Sequence, residues 1–246
     1  MRVQVCGALV VDRAGVRVDG RLPGRQGRLL CAYLVLNRHR PVPRAELTDA
    51  MWPRQTPGNV ESGLSALLSK LRVALGPRSI SGRGSVQFTL ADAWVDLEAA
   101  REAVHNAESA IAAGDWTRAW PPSQVALFAA DRGLLIGEEG DDTYAWLTDE
   151  RRRLEELRLR ALESYGTACL GIGGAELAAA VRAGRALTES APLRESGCRL
   201  LMRGLFAQGN RAEALQEYHQ MRTVLRDELG VSPSEVTQQL FAELNA

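Results

Sequence analysis

The sequence predicts a mostly α-helical chain with a small β component, built in two parts. Three observations carry this reading. Short alternating segments are confined to residues 1–95, where they flank three stretches of helical periodicity. From Asp96 onward helical spacing is nearly continuous and is punctuated by glycine turns. The formal net charge of zero is a sum of opposites: residues 1–95 hold 14 Lys+Arg and 6 Asp+Glu, which is +8, and residues 96–246 hold 16 and 24, which is −8. A basic part of this size attracts polyanions, of which nucleic-acid phosphates are the commonest. A solubilising surface is the alternative use of the same charge.

In the basic part, Val3, Val5, Ala8 and Val10 alternate as one strand, and Val16 and Val18 as a second across the Asp12–Gly15 turn. Leu29, Leu30, Tyr33, Leu34 and Leu36 recur at helical spacing, so a first helix is expected over 25–38. Pro41 and Pro43 end that run. A short second helix covers Arg44–Met51, closed by Trp52-Pro53 because the residue before proline avoids the helical basin. The third helix begins near Pro57, a residue suited to a first turn, and ends at Gly76-Pro77. Its apolar stripe is Val60, Leu64, Leu67, Leu71 and Leu75. Then 79–81 and 86–90 flank Gly82-Arg83-Gly84, a hairpin with a cationic tip. Strands, three helices and a hairpin make an N-terminal winged helix-turn-helix.

The third helix carries the candidate site. Opposite its apolar stripe lie Asn59, Ser62, Ser65, Ala66 and Ser69, flanked by Lys70 and Arg72. Small polar side chains let a helix sink into the DNA major groove, and flanking cations can meet the phosphates on either side. The alternative is a solvated helix face. Arg83 at the hairpin tip is a candidate for phosphate or the minor groove. Arg25, Arg28, Arg38, Arg40, Arg44, Arg54 and Arg78 are expected to complete the basic surface, with Arg44 and Arg78 nearest the site.

In the acidic part, helices are expected over 97–113 and 146–166. Trp120-Pro121-Pro122 is expected to break the chain, leaving 119–142 irregular and ending in the acidic loop Gly137-Glu138-Glu139-Gly140-Asp141-Asp142. Arg151, Arg152 and Arg153 alternate with Glu150, Glu155 and Glu156 as a solvated, ion-paired helix face. Gly174 and Gly209 each open a similar alanine-containing segment 35 residues apart, and Gly114-Asp115 opens a third. That spacing is close to the 34-residue tetratricopeptide period, so an α-helical tetratricopeptide-like domain over 96–246 is expected, with a concave surface for proteins or peptides.

Composition narrows the function classes. Hydrophobic residues at 46% and charged residues at 24% suit a globular protein. No apolar run is long enough to span a membrane, and Met1-Arg2-Val3-Gln4-Val5 lacks a signal peptide's apolar core, so a cytoplasmic location is expected. Cys6, Cys31, Cys169 and Cys198 stand apart among apolar neighbours and read as buried thiols. Neither a metal set, a phosphate-binding glycine loop nor a nucleophile motif can be named, so no cofactor and no enzymatic activity are expected.

Several stretches together resemble the Streptomyces antibiotic regulatory protein family: Leu22-Pro23-Gly24-Arg25-Gln26-Gly27-Arg28-Leu29-Leu30, then Met51-Trp52-Pro53, then Leu68-Ser69-Lys70-Leu71-Arg72-Val73-Ala74-Leu75-Gly76. Pro192-Leu193-Arg194-Glu195 and Leu225-Arg226-Asp227-Glu228-Leu229-Gly230-Val231-Ser232-Pro233 resemble the family's bacterial transcriptional activation domain. The resemblance implies a DNA-binding domain over 1–95 and an activation domain over 96–246. It also implies an activator that binds direct repeats of double-stranded DNA near a promoter, as side-by-side copies, and recruits RNA polymerase through its sigma factor or other subunits. Lys70 and Arg72 match positions that contact phosphates or bases, and Ser62 and Ala66 match positions that reach base edges. The chain departs from the pattern at Val73, where a further arginine is usual, and after Gly84, where tyrosine is usual. Two other functions stay open at this point. One is a protein-interaction adaptor. The other is a regulator gated by a ligand between Trp116, Trp120 and Trp146.

Overall fold

The computed structural model describes residues 1–53, 59–90, 92–138 and 144–246. Pro57 and Arg54 therefore lie outside the described residues. The chain divides into two compact units, Met1–Ala99 with Arg132–Leu154, and Ala100–Asp131 with Glu155–Ala246.

The first unit opens on a four-stranded sheet. β1 (Arg2–Gln4), β2 (Val10–Arg13), β3 (Val16–Arg17) and β7 (Trp94–Val95) lie in the order β3-β2-β1-β7. β1 and β2 are antiparallel, with Val3 opposite Val11, and β7 runs parallel to β1. The single strand expected from Val3 to Val10 is thus two strands joined by a turn. The alternation in sequence continues, but the backbone groups find other partners. Val5 and Cys6 donate their N–H groups to the Asp96 carboxylate at 2.8 and 3.0 Å. Gly7 donates to the Gly133 carbonyl at 2.7 Å, and Leu135 donates back to Val5 at 2.9 Å. Pairing with these distant segments satisfies the buried backbone without a longer hairpin.

Three helices follow: α1 (Gly24–Leu36), α2 (Arg44–Met51) and α3 (Val60–Leu75). Their core is formed by Leu29, Leu30, Leu34, Leu47, Met51, Leu64, Leu68, Leu71 and Leu75, all fully buried. Each such side chain contributes about 1.5–3 kcal/mol by leaving water. On α3 the most buried stripe is Leu64, Leu68, Leu71 and Leu75, whereas Val60 and Leu67 are half-buried at its edge. A second sheet orders β4 (Val42–Pro43), β6 (Ser85–Phe88) and β5 (Ile80–Ser81), with Val42 opposite Val86 and Ile80 opposite Phe88. β5 and β6 form the expected hairpin. Its turn requires Gly82: φ is +94°, and a Cβ there would stand 1.9 Å from the Ser85 carbonyl oxygen.

Several arginines expected on the basic surface hold this unit together instead. Arg28 pairs with Glu138 at 2.5 and 3.1 Å, and Arg25 donates to the Glu138 carbonyl at 3.0 Å. Glu138, expected in an acidic loop, is therefore buried, while residues 139–143 of that loop lie outside the described residues. Arg38 grips Glu98 at 2.9 and 2.6 Å and the Ala93 carbonyl at 2.6 Å. Arg40 and Tyr33 share Glu46, the tyrosine donating at 2.6 Å. Burial, reinforced by that carboxylate, pushes the Tyr33 hydroxyl up to about 12. Trp146 stands edge-on to Tyr33 and donates its indole N–H to the Ala50 carbonyl at 3.2 Å.

The second unit is helical throughout its described elements. It is drawn from α4 (Asp96–Ala112), α5 (Trp116–Ala130), α6 (Ala145–Ile172), α7 (Leu177–Ser190), α8 (Glu195–Ala207), α9 (Arg211–Leu229) and α10 (Glu235–Asn245). The turns read from the repeat lie between α4 and α5, α6 and α7, and α8 and α9. Gly114 and Gly209 adopt φ of +72° and +85° there. α7 and α8 approach closely through small residues: a Cβ on Gly184 would stand 2.8 Å from the Leu201 Cα. The expected break at Pro121-Pro122 does not occur, for α5 runs through both prolines. Two ladder hydrogen bonds are lost. Asp115 caps the start by accepting from Arg118 N–H at 3.0 Å, and Ala119, Ser123 and Ala126 bury one face completely. Tertiary burial of that face overrides the local preference.

The three tryptophans have separate packing roles. Trp116 covers Gly171, Trp120 lies beside Tyr165 at 6.4 Å, and Trp146 belongs to the first unit. All four cysteines are buried. Burial pushes Cys31 and Cys198 up to about 12 and Cys169 up to about 11, so these three are not thiolates at neutral pH. Of the arginine run, Arg153 pairs with Glu150 as expected, whereas Arg152 pairs with Asp149 and Arg151 donates to the Leu134 carbonyl at 3.2 Å.

Candidate nucleic-acid interface

The outward surface of α3 is built from Ser62, Ser65, Ala66, Ser69, Lys70 and Val73, all exposed. At 100° per residue, Ser62, Ala66, Ser69 and Val73 fall on one line along the helix, with Lys70 to one side and Arg72 to the other. Asn59 is not part of that line. It is the N-cap, its side chain accepting from Ser62 N–H at 3.3 Å, and Ser62 Oγ donates back to the Asn59 carbonyl at 3.1 Å.

Two arginines brace α3 from its flank. Arg44, from the start of α2, donates to Glu61 at 2.9 Å and to Ser65 Oγ at 2.8 Å. Arg72 donates to the carbonyls of Ile80 and Gly82 at 3.2 and 3.1 Å, tying the last turn of α3 to the hairpin. With Arg83 they line an open cleft of about 390 Å³ whose other walls are Ile80 and Gly82. Three arginines thus line one concavity, and of the three Arg44 is paired with a carboxylate, that of Glu61, among the described residues. A phosphate oxygen is the natural complement of such a cleft.

Lys70, Arg78 and Arg83 are exposed, and none is paired with a carboxylate among the described residues. Arg78 precedes β5, and its carbonyl is held by Thr89 Oγ1 at 2.7 Å. Of the ten residues read from sequence, the structure gathers Arg44, Arg72 and Arg83 around the cleft and lines Ser62, Ser65, Ala66, Ser69 and Lys70 along α3. Asn59 serves as a cap, and Arg78 stands outside the cleft. The sequence reading left out Val73, which is 83% exposed at the C-terminal end of the outward line. Its signal was present in the helical wheel, seven positions beyond Ala66.

In the second unit a cleft of about 400 Å³ is lined by residues of α4 and α6, among them Ile111, Arg160, Ser164 and Thr167, with Arg194 before α8. Its charges are largely matched: Arg160 pairs with Glu108 at 2.8 and 2.7 Å, and Arg194 with Glu156 and Glu163 at 3.1 and 3.3 Å.

A winged helix with cations around its third helix, carried in one chain with a helical-repeat unit, defines the class of two-part regulators. The chain belongs to the bacterial transcriptional activator domain family, whose pattern matches residues 95–245, and its relatives are regulators of the Streptomyces antibiotic regulatory protein type. It is 37% identical over 218 residues to the regulatory protein AfsR of Streptomyces coelicolor, covering 87% of this chain and 21% of that protein. It is 29% identical over 255 residues to the transcriptional regulator RedD of the same organism, covering 100% of this chain and 71% of that one. Among solved structures, Mycobacterium tuberculosis EmbR in complex with a low-affinity phosphopeptide shares the fold. The TM-score is 0.87 at 23% identity, over 99% of this chain and 64% of that one. The chain spans about a fifth of the length of the AfsR proteins it matches. The family match covers residues 95–245, whereas the first compact unit runs to Ala99 and takes in Arg132–Leu154.

Proposed function

We propose that this chain is a transcription activator that binds double-stranded DNA through its first unit and engages RNA polymerase, through sigma factor or other subunits, with its second. α3 enters the major groove. Arg44 and Arg83 hold a phosphate in the cleft, Arg72 fixes the hairpin against α3, and Lys70 meets the backbone on the opposite flank. The observation that carries this reading is the outward face of α3: small side chains along the centre and cations on both sides, in a fold that presents that face to solvent. The chain works in the cytoplasm, without a cofactor and without a catalytic step of its own. Two copies bind side by side on direct repeats. Counted by compact unit, the first carries 18 Lys+Arg and 14 Asp+Glu and the second 12 and 16, so the second unit is repelled by DNA and left to face protein.

The test is a gel shift of the purified chain against genomic fragments at moderate salt, followed by sequencing of the retarded DNA. Discrete fragments sharing a repeated element support the proposal. Absence of any retarded fragment overturns it and leaves the protein-interaction adaptor.

A further inference from the structure

We infer that α3 selects its site by apolar contact with thymine methyl groups, and that Val73 is the residue that makes the outermost of these contacts. The inference rests on α3 entering the major groove and adds what it reads there.

The major groove presents acceptors on guanine, a donor on cytosine, one of each on adenine, and an acceptor beside a methyl group on thymine. Purines are read best by arginine or lysine on guanine and by asparagine or glutamine on adenine, and the one exposed lysine of α3, Lys70, stands to one side of the outward line, where the phosphates run. None of these occupies the outward line of α3. Asn59 is held in its cap, and Arg72 is held by two hairpin carbonyls. What remains is Ser62 and Ser69, whose hydroxyls accept or donate without discrimination, and two apolar groups, Ala66 and Val73. The only major-groove feature that an apolar group recognises is the thymine methyl.

An exposed valine is ordinary on a protein surface. This one is 83% exposed in the last turn of a helix, where valine is a poorer helix former than alanine, leucine or lysine, and it lies on the line that faces the groove. Ala66 and Val73 are seven residues apart, about 10 Å along the axis. At 3.4 Å per base-pair step that separation is about three steps. The structure thus assigns a spacing as well as a base: two thymines about three base pairs apart in each half-site.

The experiment uses the full chain and a duplex selected by it from a random-sequence library. Each thymine is replaced singly by deoxyuridine, which removes the methyl and keeps the pairing edge, and affinity is measured by fluorescence anisotropy. Two positions about three base pairs apart are expected to lose about three- to five-fold each, the worth of one buried methyl. Val73→Ala is expected to abolish the loss at one of those positions, binding its thymine duplex about as weakly as the wild type binds the uracil duplex. Because Val73 is exposed and alanine favours helix, the variant folds. If no deoxyuridine changes affinity, or if Val73→Ala weakens thymine and uracil duplexes equally, the inference is overturned while DNA binding stands. If the library yields no bound duplex, the DNA-binding reading falls and this inference with it.

Discussion

Replacing Arg72 with alanine separates two roles that the same side chain can play. In the structure its guanidinium donates at 3.2 and 3.1 Å to the carbonyls of Ile80 and Gly82, so it fastens the hairpin to the end of α3. A hydrogen bond from a charged donor contributes about 1.5–3 kcal/mol, and these two are partly exposed, which lowers the expected loss on Arg72→Ala to about 1–2 kcal/mol in all. That loss is read from urea denaturation as a lower midpoint at unchanged slope. DNA affinity falls as well, because Arg83 is then poorly placed. The slope of log affinity against log salt, by contrast, falls less than the roughly 0.9 expected for each phosphate contact removed. Arg72→Ala with native stability and a slope lower by about 0.9 refutes the bracing role and makes Arg72 a phosphate contact alone.

Other substitutions test the frame around the site. Gly82→Ala forces a Cβ against the Ser85 carbonyl oxygen in a left-handed backbone, and a loss of roughly 1–3 kcal/mol in denaturation is expected, with native stability as the contrary result. Leu68→Ala opens a cavity in the core of the first unit and costs about 2–5 kcal/mol, whereas Leu67→Ala, at its half-buried edge, costs clearly less; equal losses refute the assigned packing. The pair with Arg40 holds the Glu46 carboxyl below its ordinary range. Its folded value lies below its unfolded one, so this pair stabilises above about pH 4.3 and the contribution is lost as pH falls further. Glu46→Gln therefore flattens the acid limb of the stability curve, and an unchanged limb rules the pair out as a contributor.

The winged helix was legible because its signals are local. Periodicity at three and four marks α1 and α3, the Trp52-Pro53 step closes α2, and Gly82-Arg83-Gly84 marks the hairpin turn. The glycine turns before α5 and α9 were legible for the same reason. What escaped was decided by distant residues. The strand from Val3 is interrupted because Asp96 and the segment around Gly133 take its backbone hydrogen bonds. α5 survives two prolines because burial of Ala119, Ser123 and Ala126 outweighs two lost hydrogen bonds. Glu138 reads as loop acid until Arg28 reaches it.

Charge shows the same limit. The count of +8 over residues 1–95 becomes +4 over the first compact unit, because Asp96 with Glu98 and the segment Arg132–Leu154 each add a net −2. Arg28, Arg38 and Arg40 are also matched by carboxylates inside that unit. The cations left for a polyanion near α3 are therefore placed: Lys70 on one flank of α3, Arg78 before β5, and on the other flank the cleft that Arg83 lines with Arg44 and Arg72. The ten-residue site in the sequence accordingly sorts into a residue that braces, Arg72, one that braces α3 and also lines the cleft, Arg44, and residues that reach outward, such as Lys70 and Arg83.

That sorting is tested most directly by the salt dependence of binding to a selected duplex, compared between the wild type and Lys70→Ala/Arg83→Ala. Loss of two phosphate contacts lowers the log–log slope by about 1.8 while the denaturation midpoint stays where it was. An unchanged slope in the double variant contradicts the proposal that these two side chains hold the DNA backbone.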